Sequence, residues 1–138
     1  MTDLELVFVL LVAFQAKHFI CDFPLQTKYH LGKFKPGWDF LAPLASHCGI
    51  HAVCTGAISS YAMWYTPGKR GLVLGLVAFD FVCHFVMDRI KAGPKWLGRF
   101  NDITQKPYWL ALGVDQSWHH CTHYFVIWWL VKAHGSTV

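Results

Sequence analysis

Ten residues of the 138-residue chain have the types and spacing to hold a metal ion. They are His18 and Asp22, His47 and His51, then Asp80, His84 and Asp88, and last Asp115, His119 and His123. Within each set the spacing is i, i+4, with a further i+8 in the last two. On an α-helix this puts the side chains on one face, one turn apart. Imidazole with carboxylate suits zinc, manganese or iron better than calcium or magnesium, and zinc is the first expectation. A bound ion of this kind lowers the pKa of its water and supplies hydroxide near neutral pH. Asp115 or Asp88, where not a ligand, is then the expected general base. Ten side chains exceed the shell of one tetrahedral ion. Either two ions bind, or some of the ten orient the ligands by hydrogen bonds.

Positioning these residues falls to four apolar segments, roughly 4–23, 41–65, 71–90 and 108–132. Each is close to the ~20 residues that cross a bilayer as a helix. Pro24, Pro36, Pro67, Pro94 and Pro107 fall between or beside them, where helices start or stop, and Pro43 suits a first turn. The polar set lies at the C-terminal end of the first segment and toward the N-terminal end of the second. It lies in the C-terminal half of the third and the N-terminal half of the fourth. Consecutive helices run in opposite directions, so all four sets are expected at one depth. A charge in hydrocarbon costs about 3 kcal/mol even on the mildest scales. Four carboxylates converging at one level therefore need neutralising, and a divalent cation does this directly.

The spacing predicts an all-α fold, an integral membrane four-helix bundle forming one domain over residues 1–138. HFICD at 18–22 returns as HFVMD at 84–88, which suggests two related helix-pair halves. Composition agrees. Hydrophobic residues make up 54% and charged residues 14%, with seven Trp and eleven Phe, whereas soluble domains carry about 25% charged residues. A soluble module is excluded, and with no basic tract or nucleic-acid motif so is a nucleic-acid partner. The start, MTDLELVFVLLVAF, has Asp3 and Glu5 where a signal peptide wants positive charge, so it reads as a retained first membrane helix. The five cysteines read as reduced core residues, with Cys21 and Cys54, each three residues after a histidine, as minor ligand candidates.

Lys28, Lys33 and Lys35 in the first loop and Arg89, Lys91, Lys95, Arg99 and Lys106 in the third give eight cations on one side. Lys69, Arg70 and Lys132 give three on the other, with Lys17 uncounted inside the first segment. This bias predicts an inner-membrane, multi-pass protein with the first and third loops cytoplasmic and both termini outside. Lys28, Arg89 and Lys91 then flank the polar level and are the candidates for binding an anionic headgroup or phosphate. His120 points away from the set on its helix, and His30 and His134 are expected in solvent.

HFICDFPLQT, the histidines of the second helix, HFVMD and DQSWHH together resemble small bacterial and phage membrane proteins of a domain-of-unknown-function family (DUF3307-like). The resemblance covers most of the chain and implies no activity. A looser likeness, in the pattern of His and Asp on several membrane helices, is to membrane-bound metal-dependent hydrolases. It implies hydrolysis of a lipid-like or lipid-linked phosphoester at the membrane. HxxxH in the second helix and HHCTH in the fourth are faintly similar to the histidine boxes of iron-dependent membrane desaturases and hydroxylases. A non-enzymatic, metal-stabilised membrane or phage accessory protein is the third expectation. Its partners would be the bilayer, a second copy of itself or another membrane protein.

Overall fold

The computed structural model describes residues 2–64 and 67–135. Its body is four helices: α1 (Asp3–Asp22), α2 (Leu41–Ala62), α3 (Arg70–Ala92) and α4 (Lys106–Gly135). No strand occurs among the described residues. The four predicted segments fall on these helices, with ends a few residues apart, and the predicted end at Tyr65 lies outside the described residues. Asp3 and Glu5 have a local use. Thr2 caps α1 through its Oγ1, 3.2 Å from Glu5 N, while Glu5 Oε2 accepts from Thr2 N at 2.8 Å. This reciprocal box satisfies N–H groups that have no partner inside the helix.

Each helix packs on the next around a ring, and α4 closes on α1. The C-terminal halves of α1 and α3 meet the N-terminal halves of α2 and α4, as an up-down-up-down bundle requires. At one end the core is apolar. Leu6, Leu10 and Phe14 of α1 meet Met63, Leu76 of α3, and Val126, Ile127 and Leu130 of α4. At the other end, beside a small apolar cluster of Phe40, Leu44 and Cys48, the buried residues include Lys17, His18, His47, His51, Asp80, His84, Asp88, Asp115, His119 and His123.

The outside of the bundle is greasy where its inside is polar. Phe19, Val53, Val82, Val86, Val114 and Trp118 are all exposed. This inversion is what a bilayer imposes, since ionisable groups must turn to the bundle interior. Among the described residues, three stretches are long and apolar enough to span a membrane: Asp3–Asp22, Leu41–Ala62 and Arg70–Arg99. α4 is longer, but it carries Asp115, Gln116, His119, His120 and His123 in one run, which lowers its hydropathy.

The first loop is built rather than open. A short 3-10 turn, His30–Phe34, packs on α2. Gly32 allows this approach, because a Cβ there would lie 2.8 Å from Pro43 Cγ. The expectation of a solvated His30 is corrected by this packing, since His30 is buried. Its Nδ1 accepts from the Thr27 backbone N–H at 3.1 Å, and Nε2 lies 3.3 Å from Ser46 Oγ. Burial pushes the His30 pKa below its ordinary value. At the far end of the chain, His134 Nδ1 lies 3.2 Å from Asp3 Oδ1.

Candidate metal centre

The polar end of the core gathers all ten of the His and Asp residues singled out by their spacing. They fall into four groups, each offering one ligand atom per residue with these atoms within 4.8 Å of one another. The groups are His18, His51 and His84; Asp22, His47 and His51; Asp80, His84 and His123; and Asp88, Asp115 and His119. His51 and His84 each belong to two groups, which joins the first three, and the fourth adjoins them through His47 Nε2, 3.4 Å from Asp88 Oδ2.

Lysines decide which groups are already satisfied. Lys17, buried in mid-helix, donates to Asp80 Oδ2 at 3.1 Å and to Oδ1 at 3.4 Å. Its Nζ also lies 3.2 Å from His123 Nε2. An ammonium only donates, so the His123 Nε2 lone pair is taken up. Thr55 Oγ1 completes Asp80 with a bond to Oδ2 at 2.9 Å. Lys33, swung inward by the His30–Phe34 turn, donates to Asp88 Oδ2 at 2.8 Å. Lys91 donates to Asp115 Oδ2. Three of the four carboxylates thus carry an ammonium partner. The neutralisation assigned to a cation from the sequence is largely done by lysines, and the Asp80 and Asp88/Asp115 groups are filled by them.

Asp22 differs. Its Oδ1 lies 3.1 Å from His51 Nε2 and 3.3 Å from His47 Nε2, and its Oδ2 lies 3.1 Å from His18 Nε2. His47 Nε2 is also 3.4 Å from Asp88 Oδ2, so it sits between the aspartates of the two repeated segments. No lysine touches Asp22 among the described residues. A carboxylate accepts, which puts the ring proton of His51 on Nε2. For His18 the Gln116 amide gives the same answer. Gln116 Nε2 donates to Asp115 Oδ2 at 2.9 Å, which turns its Oε1 toward His18 Nε2 at 3.0 Å. His84 is held the other way round, its Nδ1 donating to the backbone carbonyl of Asp80 at 3.1 Å.

The consequence is specific. His18 Nδ1, His51 Nδ1 and His84 Nε2 are buried and have no hydrogen-bond partner; the same holds for Nδ1 of His47, His119 and His123, but those three sit in groups that contain aspartate, whereas His18, His51 and His84 form a group of histidines alone. In each of these last three rings the other nitrogen carries the proton and is fixed by an acceptor, the arrangement that orients a metal-ligating histidine. Three neutral imidazoles from α1, α2 and α3 therefore present lone pairs with no protein donor to receive them. Three histidines with a fourth position open is a known zinc set. The rings of His51 and His84 lie 4.2 Å apart between centroids, and those of His18 and His51 6.0 Å.

The remaining expected residues take other places. His119 Nε2 lies 3.4 Å from Asp115 Oδ1 and 3.5 Å from Asp88 Oδ1, in the lysine-capped group. Asp88 and Asp115, the expected general bases, are both engaged in ion pairs. Of the three headgroup candidates, Lys91 is turned to Asp115, Arg89 stacks 3.6 Å from the Phe40 ring centroid, and Lys28 lines a surface groove with Tyr29, Phe34 and Lys35. Cys21 and Cys54 touch each other, Sγ to Sγ at 3.8 Å, and join none of the four groups.

Sequence reasoning passed over Thr55 and Gln116, left Lys17 uncounted inside the first segment and read Lys33 as a loop cation. Two of these had a signal. Lys17 falls on the buried stripe Leu10, Phe14, Cys21, and Thr55 continues His47 and His51 by another four residues.

Residues 6–138 match the family model described as Protein of unknown function (DUF3307). The chain belongs to this family. No curated protein and no solved structure matches it. In this DUF3307 member the segments HFICDF and DQSWHH supply His18, Asp22, Asp115 and His119 to the cluster, and Gln116 to the hydrogen bond on His18.

Proposed function

We propose that the chain is an intramembrane metal-binding protein in which His18, His51 and His84 hold one divalent ion, zinc foremost, with manganese or iron as alternatives. We further propose that it is a metal-dependent hydrolase acting on a lipid-like or phosphate-bearing substrate near headgroup level. The observation that carries the first part is that His18, His51 and His84 form a group of histidines alone, each with an unpartnered ring nitrogen opposite a nitrogen fixed by an acceptor and none capped by a lysine. The ion, when bound, would supply a hydroxide near neutral pH. Asp22 would fix the tautomers of His18 and His51, and the Asp80 carbonyl that of His84. The Lys17–Asp80, Lys33–Asp88 and Lys91–Asp115 pairs would hold the surrounding charge neutral. The excess of Lys and Arg in the first and third loops supports a cytoplasmic position for the polar end, in the inner membrane.

The test is hydrolysis of a phosphoester lipid by the detergent-purified protein. Turnover should disappear on chelation, return with zinc and be absent in His84→Ala. Metal binding without turnover would remove the hydrolase and leave the ion.

A second reading has its own observation. All cluster residues are buried but Asp22, which is half-buried, and none of them lines the groove around Lys28 and Pro43 or the groove around Phe85 and Trp96. A closed site of this kind fits an ion that ties α1, α2 and α3 together without catalysis. Chelation would then lower the melting temperature while no substrate is turned over.

A further inference from the structure

We infer that the groove at the end of α3 is a binding site for an anionic phospholipid. This site is separate from the histidine cluster and does not depend on the metal reading. The groove has a volume of about 570 Å³. Phe85, Val86, Ile90 and Trp96 form its apolar walls, and Arg89 and Lys95 bring two cations.

A cation held by an aromatic ring sets this groove apart. Lys17, Lys33 and Lys91 each give their ammonium to a buried aspartate. Arg89 and Lys95 have no carboxylate partner among the described residues. Arg89 is nevertheless held in place, its guanidinium carbon lying over the Phe40 ring, 3.6 Å from the centroid. Stacking uses the face of the guanidinium and leaves its N–H edge for a planar or bidentate anion such as a phosphate.

The wall that carries Lys95 and Trp96 is a tight turn. Trp96 N donates to Gly93 O at 2.9 Å, and Gly98 N donates to the same carbonyl at 3.1 Å. The chain folds so closely on the end of α3 that a Cβ at Gly98 would lie 2.8 Å from the carbonyl oxygens of Ala92 and Gly93. Lys95 and Trp96 are both exposed. The groove also lies toward the end of the Arg70–Arg99 candidate span, where headgroups would be met. An exposed Trp beside paired cations suits that level. A free phosphate would engage Arg89 and Lys95 but would leave Phe85, Val86 and Ile90 unused. A phospholipid uses both, with its phosphate on the cations and an acyl chain along the outer face of α3.

The experiment is native mass spectrometry of the full chain in detergent, with equimolar phosphatidylglycerol and phosphatidylcholine. Each cation near an anionic headgroup is worth about fivefold in binding. The wild type should therefore retain phosphatidylglycerol at least about tenfold over phosphatidylcholine. Lys95→Ala should cut that preference about fivefold, Arg89→Lys should cut it less, and Arg89→Ala with Lys95→Ala should abolish it. Lys35→Ala with Lys106→Ala, which removes the same charge from the same side, should leave it unchanged. Circular dichroism of each variant establishes that the helices persist. Equal retention of both lipids by the wild type would overturn the inference, as would an equal loss in the Lys35/Lys106 variant. Displacement of phosphatidylglycerol by millimolar inorganic phosphate alone would also overturn it, since the ligand would then be the phosphate and not the lipid.

Discussion

The same four helices build two unlike halves. Toward the termini, Leu6, Leu10, Phe14, Leu76, Val126 and Leu130 pack as an ordinary apolar core. Toward the first and third loops, the same stripes on the same helices carry histidine, aspartate and lysine. The stripe on α1 runs Leu6, Leu10, Phe14, Lys17, Cys21 and changes character within one turn. In a bilayer the apolar half gains little from hydrophobic transfer, because lipid tails are as apolar as leucine. It is held by close packing. The polar half is held by charge pairing, and a pair with both members buried, Lys17–Asp80 or Lys33–Asp88, is costly to break because the partner left behind stays buried. One half tolerates loss gradually. The other does not at these two pairs.

Single substitutions can break this contrast. The largest effect is expected from Lys17→Met, which leaves Asp80 without its cation in a fully buried position. A loss of about 3–5 kcal/mol is expected for such a group, read as a fall in melting temperature in detergent. Lys17→Met with Asp80→Leu should recover much of it, since an apolar pair of similar volume carries no stranded charge. If the double variant is no better than the single, the pair does more than balance charge. Leu130→Ala in the apolar half comes next. The cost should sit near the low end of the usual range, about 2 kcal/mol, because only the packing part of the penalty survives in lipid. That loss should be the same with and without a chelator. Lys91→Ala should cost least, about 1 kcal/mol or below, because Lys91 is partly open to solvent and Gln116 still donates to Asp115. A larger effect in unfolding measurements would mean that Lys91 seals the polar half more tightly than its exposure implies.

Much of this was legible before any coordinates. The i, i+4 spacing named the ten clustered residues, because a helix turns that spacing into a stripe and alternating direction turns four stripes into one level. Inward lysines were less legible. Lys17 lies on the core stripe of α1, yet a lysine in an apolar run reads as an intruder unless its partner is known. That partner, Asp80, is 63 residues away. Lys33 had no periodic signal at all. Its inward turn depends on a five-residue 3-10 turn seated on Pro43, a contact that only Gly32 permits. These lysines change the chemistry. Charge alone no longer requires an ion, and the case for one rests on three ring nitrogens with nothing to receive their lone pairs.

That case is tested most directly by the metal content of the detergent-purified protein, measured by elemental mass spectrometry on the wild type, His51→Ala, His84→Ala and His123→Ala. About one equivalent of zinc, manganese or iron is expected in the wild type, lost in His51→Ala and His84→Ala. His123→Ala should keep it, because Lys17 already occupies the His123 ring nitrogen. No metal in the wild type after reconstitution would contradict the account, and so would metal that survives His84→Ala.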